Sequence, residues 1–81
     1  MKVSVQLFAR AQELAGADLV EIDLPDESSV AGLRQALADQ VPAIASLVPG
    51  LFVSVGCDYA DDSTLLEPDQ EIACFPPVSG G

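Results

Sequence analysis

The chain has 81 residues, 49% of them hydrophobic, which suits one small packed domain rather than a disordered segment. Three cationic side chains, Lys2, Arg10 and Arg34, stand against thirteen acidic ones, for a formal net charge of -10. That balance excludes nucleic acid and anionic membranes as partners, because both are gripped through Lys and Arg.

The same charge favours a basic protein partner, or it serves solubility alone. No apolar stretch approaches the ~18 residues needed to cross a bilayer. The start, Met1-Lys2-Val3-Ser4-Val5-Gln6-Leu7, lacks the long apolar region of a secretory signal, and the expected location is the cytoplasm. There Cys57 and Cys74, both in or beside apolar segments, read as reduced small core residues rather than a disulfide.

In chain order, residues 2–8 alternate, with Val3, Val5 and Leu7 on one side, and predict a half-buried strand. Alanine-rich residues 9–15, stopping at Gly16, predict a short helix. Residues 19–24 alternate again and should pair with the first strand. Ser28 or Ser29 caps a longer helix in which Val30, Leu33, Leu37 and Val41 recur at helical spacing, with Ala36 on the same side. Pro42 ends it, and residues 43–48 add one or two helical turns. Residues 51–55 predict a strand, Gly56-Cys57-Asp58 a turn, and Tyr59-Ala60 a short return strand. After the loop Asp61-Asp62-Ser63, Leu65-Leu66 makes a small apolar contact and residues 67–70 turn.

The last strand spans residues 71–75. Ile72 and Cys74 face one way, Ala73 and Phe75 the other, so both faces are apolar; such a strand is covered on two sides or docks onto something. An α+β fold follows, a mixed sheet with one main helix packed on one face and the first and last strands side by side in its middle. We divide the chain into a domain over residues 1–75 and an extended tail over residues 76–81.

Several chemistries are absent. Without histidine there is no Ser-His-Asp or Cys-His pair and no His-containing metal site, and two cysteines cannot build a four-cysteine zinc site, so no metal is expected. No GxxxxGK[ST] loop occurs, so any ATP chemistry belongs to another protein. Asp58, Asp61, Asp62, Glu67 and Asp69 do not match a calcium loop and read as a solvated acidic surface. Nothing predicts a cleft, which argues against a freestanding enzyme.

The tail Pro76-Pro77-Val78-Ser79-Gly80-Gly81 carries the functional signal. Pro76-Pro77 stiffens the chain as it leaves the strand. Val78 and Ser79 continue it, and Gly80 and Gly81, lacking Cβ, fit a slot too narrow for other residues. Six residues reach at most ~20 Å, enough to place a Gly81 carboxylate in a partner's active site. A frayed chain end is the alternative.

The run from Glu71 through Phe75-Pro76-Pro77-Val78-Ser79-Gly80-Gly81 resembles the C-terminal signature of molybdopterin synthase small subunits, and Leu7-Phe8-Ala9-Arg10 with Glu13-Leu14-Ala15-Gly16 resembles that family's N-terminal segment. The family consists of ubiquitin-like sulfur carriers with the β-grasp fold. The resemblance implies a non-catalytic, sulfur-donating subunit with no bound cofactor. An E1-like adenylyltransferase would use ATP to adenylate Gly81, and a sulfur donor protein would convert it to a thiocarboxylate. The synthase large subunit would then accept the tail, residues 76–80, in an assembly of two small and two large subunits that sulfurates a pyranopterin for the molybdenum cofactor. Phe75 and its apolar sheet face are candidates for docking that partner, or for plain core packing. A sulfur carrier for thiamine, cysteine or another thio-product, or a ubiquitin-like protein modifier, remains open.

Overall fold

The structure, a computed structural model, describes residues 1–77. Strand β1, Lys2–Leu7, buries alternate residues from Val3 onward, as its hydrophobic period of two requires. Helix α1, Ala9–Ala15, ends at Gly16, whose φ of 73° is the left-handed conformation that glycine adopts without a Cβ clash; its N–H donates to the Gln12 carbonyl at 3.0 Å. Strand β2, Leu19–Asp23, returns antiparallel to β1, with Val3 opposite Ile22 and Val5 opposite Val20.

Helix α2, Val30–Gln40, starts at Ser29, whose hydroxyl accepts from the Gly32 N–H at 3.4 Å. Val30, Leu33 and Leu37 are buried on one stripe, the face that the three- and four-residue spacing selects. Pro42 then denies the helix a further N–H, and the chain continues as two 3-10 turns, Pro42–Ile44 and Val48–Gly50. These turns seat Ile44 and Val48 in the core.

Strands β3, Phe52–Val55, and β4, Asp58–Ala60, form a hairpin around Gly56-Cys57, with Gly56 at φ 64°. Strand β5, Ile72–Phe75, inserts between β1 and β3, parallel to the former and antiparallel to the latter. The sheet order is β2-β1-β5-β3-β4. First and last strands are central neighbours, as expected, and α2 packs across one face. The buried cluster runs from Val3 to Cys74 and contains only aliphatic residues and Cys74 among the described residues.

Two expectations are corrected. Cys57 is exposed, not a core residue, because the hairpin turn carries it past the point where β3 leaves the core; Cys74 is fully buried. Leu65 and Leu66 do not act together. Ser29 and Leu65 form an isolated bridge, and in that extended backbone adjacent side chains point opposite ways, so Leu66 is buried and Leu65 is 62% exposed.

Burial pushes the Cys74 thiol from 9.0 up to about 11, with the Arg34 charge pulling it the other way. The folded chain therefore holds this proton more tightly than the unfolded chain. Stability from this source is complete below pH 9.0 and is lost as the pH rises through about 11. The loss is at most about 3 kcal/mol. Urea midpoints measured across that range should fall, and Cys74→Ala should remove the dependence. In the native chain at neutral pH, iodoacetamide should label Cys57 and spare Cys74.

Candidate functional site

The chain has three phenylalanines, one tyrosine and no tryptophan, and none of these aromatic rings lies in the core. All four stand in one line on the sheet face opposite α2. Phe8 packs edge-on against Phe75 with ring centroids 6.0 Å apart. Phe75 meets Tyr59 at 5.8 Å, and Tyr59 meets Phe52 at 6.0 Å, each again near perpendicular. Edge-to-face pairs at such distances align the positive ring edge with the negative ring face.

Strand register explains the line. Phe52 lies opposite Phe75 across β3 and β5, and Tyr59 lies opposite the small Ser54 across β3 and β4. Alternation sends Val53 and Cys74 into the core and their neighbours Phe52 and Phe75 outward. Phe8 extends β1 by one residue, its N–H donating to the Cys74 carbonyl at 3.3 Å. The next residue, Ala9, has φ 53°, the left-handed region that costs a non-glycine residue about 1–2 kcal/mol. That turn starts α1 directly after the Phe8 ring is laid on Phe75.

The patch is open to solvent. Tyr59 is 74% exposed, Phe52 50% and Phe8 39%, while Phe75 is half-buried between its neighbours. Side chains of this size are rarely left in water in an aligned group unless something covers them. Phe75 thus belongs to an outward-facing cluster rather than to the core. Pro76, the residue after Phe75, is half-buried and Pro77 is exposed. Val78, Ser79, Gly80 and Gly81 lie outside the described residues.

The acidic residues group differently. The Asp61 carboxylate accepts from the Ser63 hydroxyl at 2.8 Å and the Thr64 hydroxyl at 3.1 Å, and these bonds hold its carboxyl below the usual range. Asp62 pairs with Arg34 at 2.8 Å. Among the described residues no three Cys, Asp or Glu side chains come together in a metal-binding geometry. No described helix is long and apolar enough to cross a membrane.

The pattern of the ThiS family matches residues 5–81, nearly the whole chain and through Gly81. The chain belongs to the ThiS family. Among curated relatives of this ThiS-family chain, the molybdopterin synthase sulfur carrier subunit of Dictyostelium discoideum is 38% identical, over 95% of this chain and 93% of that protein. The subunit of the same description from Homo sapiens is 30% identical, over 99% of this chain and 94% of that one. The solved structure of SAMP1 from Haloferax volcanii superposes with a TM-score of 0.88 at 29% identity, over the full length of both chains. The ubiquitin-like β-grasp expectation therefore holds for this ThiS-family fold.

Reasoning on the sequence singled out Phe75 but missed Phe8, Phe52 and Tyr59. A signal was present. Phe8 directly follows Leu7 and Phe52 directly precedes Val53, so both fall on the outward beat of an alternating strand. Aromatic rings on the beat expected to be polar mark a face awaiting a partner.

Proposed function

We propose that this chain is the sulfur carrier subunit of a molybdopterin synthase, with the Gly81 carboxylate as the site that carries sulfur. The observation that carries the reading is the placement of the chain's entire aromatic content on one open face at the root of the tail, in a ThiS-family chain whose curated relatives bear that description. A partner that covers Phe8, Phe52, Tyr59 and Phe75 holds the domain by a surface of the kind that supplies interface hot spots. The tail then starts at the rim of that contact and enters the partner's active site.

The chemistry follows from a carboxylate being a poor acyl electrophile. An E1-like adenylyltransferase binds the chain, and the Gly81 carboxylate attacks the α-phosphorus of ATP, releasing pyrophosphate and forming an acyl adenylate. A donor protein delivers sulfur at the oxidation level of sulfide to the acyl carbon. AMP leaves with the electron pair of the broken C–O bond, and a thiocarboxylate remains. On the large subunit that sulfur attacks a pyranopterin precursor on the way to its dithiolene. The near absence of cations on this chain fits a division in which the large subunit holds the substrate's phosphate.

Intact mass spectrometry tests this reading. After incubation with ATP, the adenylating enzyme and a sulfur source, the chain should gain the mass difference between one sulfur and one oxygen atom. An unchanged mass with a competent activating enzyme would refute it.

A second reading has one observation in its favour. A Haloferax volcanii structure described as small archaeal modifier protein 1 superposes with a TM-score of 0.84 at 27% identity. A modifier would pass the same activated Gly81 acyl group to a lysine amine. Recovery of this chain joined to other proteins by an isopeptide bond would favour that outcome.

A further inference from the structure

We propose that Arg34 is a positioning residue for the aromatic docking patch, acting from the opposite face of the sheet; this rests on the docking reading above. Its guanidinium ties together both roots of the β3–β4 hairpin. Nη1 donates to the Val48 carbonyl at 2.8 Å, and Nε donates to the Asp62 carboxylate at 2.8 Å. Val48 lies four residues before Phe52, where the hairpin begins, and Asp62 lies two residues after Ala60, where it ends. One planar fork thus spans the entry and the exit of the segment that bears Phe52 and Tyr59.

The hairpin needs such an anchor. Strand β4 is three residues long, lies at the sheet edge and pairs with β3 alone. Its Tyr59 projects from that edge and reaches back over β3 to touch the Phe75 ring. A small splay of β4 away from β3 would open the Tyr59–Phe75 and Phe52–Tyr59 contacts, and β4 contributes no fully buried residue to the core that would resist it.

Arg34 is also unlike the other arginine. Its side chain is 21% exposed, whereas that of Arg10, paired with Glu13 at 3.8 Å, is 66% exposed. Charge-assisted bonds in a half-buried setting are the stronger kind. The Asp62 backbone carbonyl accepts from Ala31 N–H at 3.1 Å, so the same loop is latched to the start of α2. The helix that closes the core therefore also sets the position of an external patch. Lysine cannot replace this geometry, because an ammonium is a point charge without the guanidinium's planar fork.

Two measurements test the inference. In the free chain, Arg34→Lys should shift the ring-proton resonances of Phe52 and Tyr59, as should Asp62→Asn, which leaves the bond to Val48 in place and serves if the lysine variant folds poorly. Bound to the synthase large subunit, Arg34→Lys should lose about tenfold in affinity, less than truncating a hot-spot residue itself would cost. Gln40→Ala is the matched control. It removes two hydrogen bonds between α2 and the far edge of the sheet, Asp23 N–H to Gln40 Oε1 at 3.0 Å and Gln40 Nε2 to the Asp23 carbonyl at 2.9 Å, and should leave the ring resonances and the affinity unchanged. Unmoved ring resonances in both Arg34→Lys and Asp62→Asn would overturn the proposal. So would equal shifts in Gln40→Ala. Tyr59→Ala separates the two ideas: unchanged affinity in that variant sinks the docking reading, whereas the ring shifts judge Arg34 without any partner.

Discussion

Deleting Gly81 should abolish sulfur transfer and leave the melting temperature nearly where it was. Among the described residues the buried cluster closes at Cys74, and the last strand ends at Phe75. Under the proposed function Gly81 serves the chemistry rather than the fold, so its removal takes away the acyl carbon itself. The new terminus, Gly80, would present a carboxylate one residue short, by at most about 3.5 Å of extended chain. Displacing a reacting group on that scale is severe, since about 1 Å of misplacement can cost a hundredfold in rate. Gly81→Ala is the finer probe. It keeps the carboxylate but puts a methyl where the partner's channel is expected to admit only backbone, so activity should fall with the core intact. Sulfur transfer to a pterin acceptor, with melting followed in parallel, reads both variants. Full activity in the deletion would remove the basis for assigning Gly81.

The second large effect lies in the core. Leu37→Ala, and separately Leu33→Ala, should each cost about 2–5 kcal/mol, from lost transfer energy plus the cavity left behind. Both side chains are completely buried on the face that α2 turns to the sheet. At roughly 0.05–0.15 kcal/mol per residue, a chain of this length has a total stability of only about 4–12 kcal/mol. One truncation therefore consumes a large share of it, and a variant at the upper end would be largely unfolded at moderate temperature. Leu65→Ala is the contrast: its side chain is mostly in water, and the change should stay within about 0.5 kcal/mol. Denaturant midpoints for the three variants check the ranking, and a Leu37→Ala cost below about 1 kcal/mol would contradict the burial of that face.

Core and surface divide the apolar residues in an uncommon way. Aliphatic residues fill the interior, while the rings, which would bury more area per residue than any of them, stay outside. A domain this small has little apolar surface to spare for a partner. The arrangement makes sense if the interface supplies what the core forgoes, and if the acidic surface around it keeps the free chain soluble meanwhile.

Much of the fold was legible because its signals are local. The alternation of Val3, Val5 and Leu7 fixes which face of β1 is buried whatever lies beside it. The spacing of Val30, Leu33 and Leu37 does the same for α2, and Gly16 and Pro42 mark helix ends by removing a Cβ clash and an N–H. Cys57 was misread because an apolar neighbourhood in sequence says nothing about a two-residue turn that leaves the core. Leu65 was misread because a single bridge to Ser29 set its direction.

From sequence alone came the element order, the buried stripe of α2 and a terminal segment whose residue types suit acyl activation, since each depends on chain neighbours or on chemistry intrinsic to the residue. Tertiary structure alone decided that Phe8, Phe52, Tyr59 and Phe75 form one line and that a single guanidinium ties both roots of a hairpin. Those facts depend on which strands become neighbours and in what register. Packing of the whole sheet against α2 sets that, and no local period encodes it.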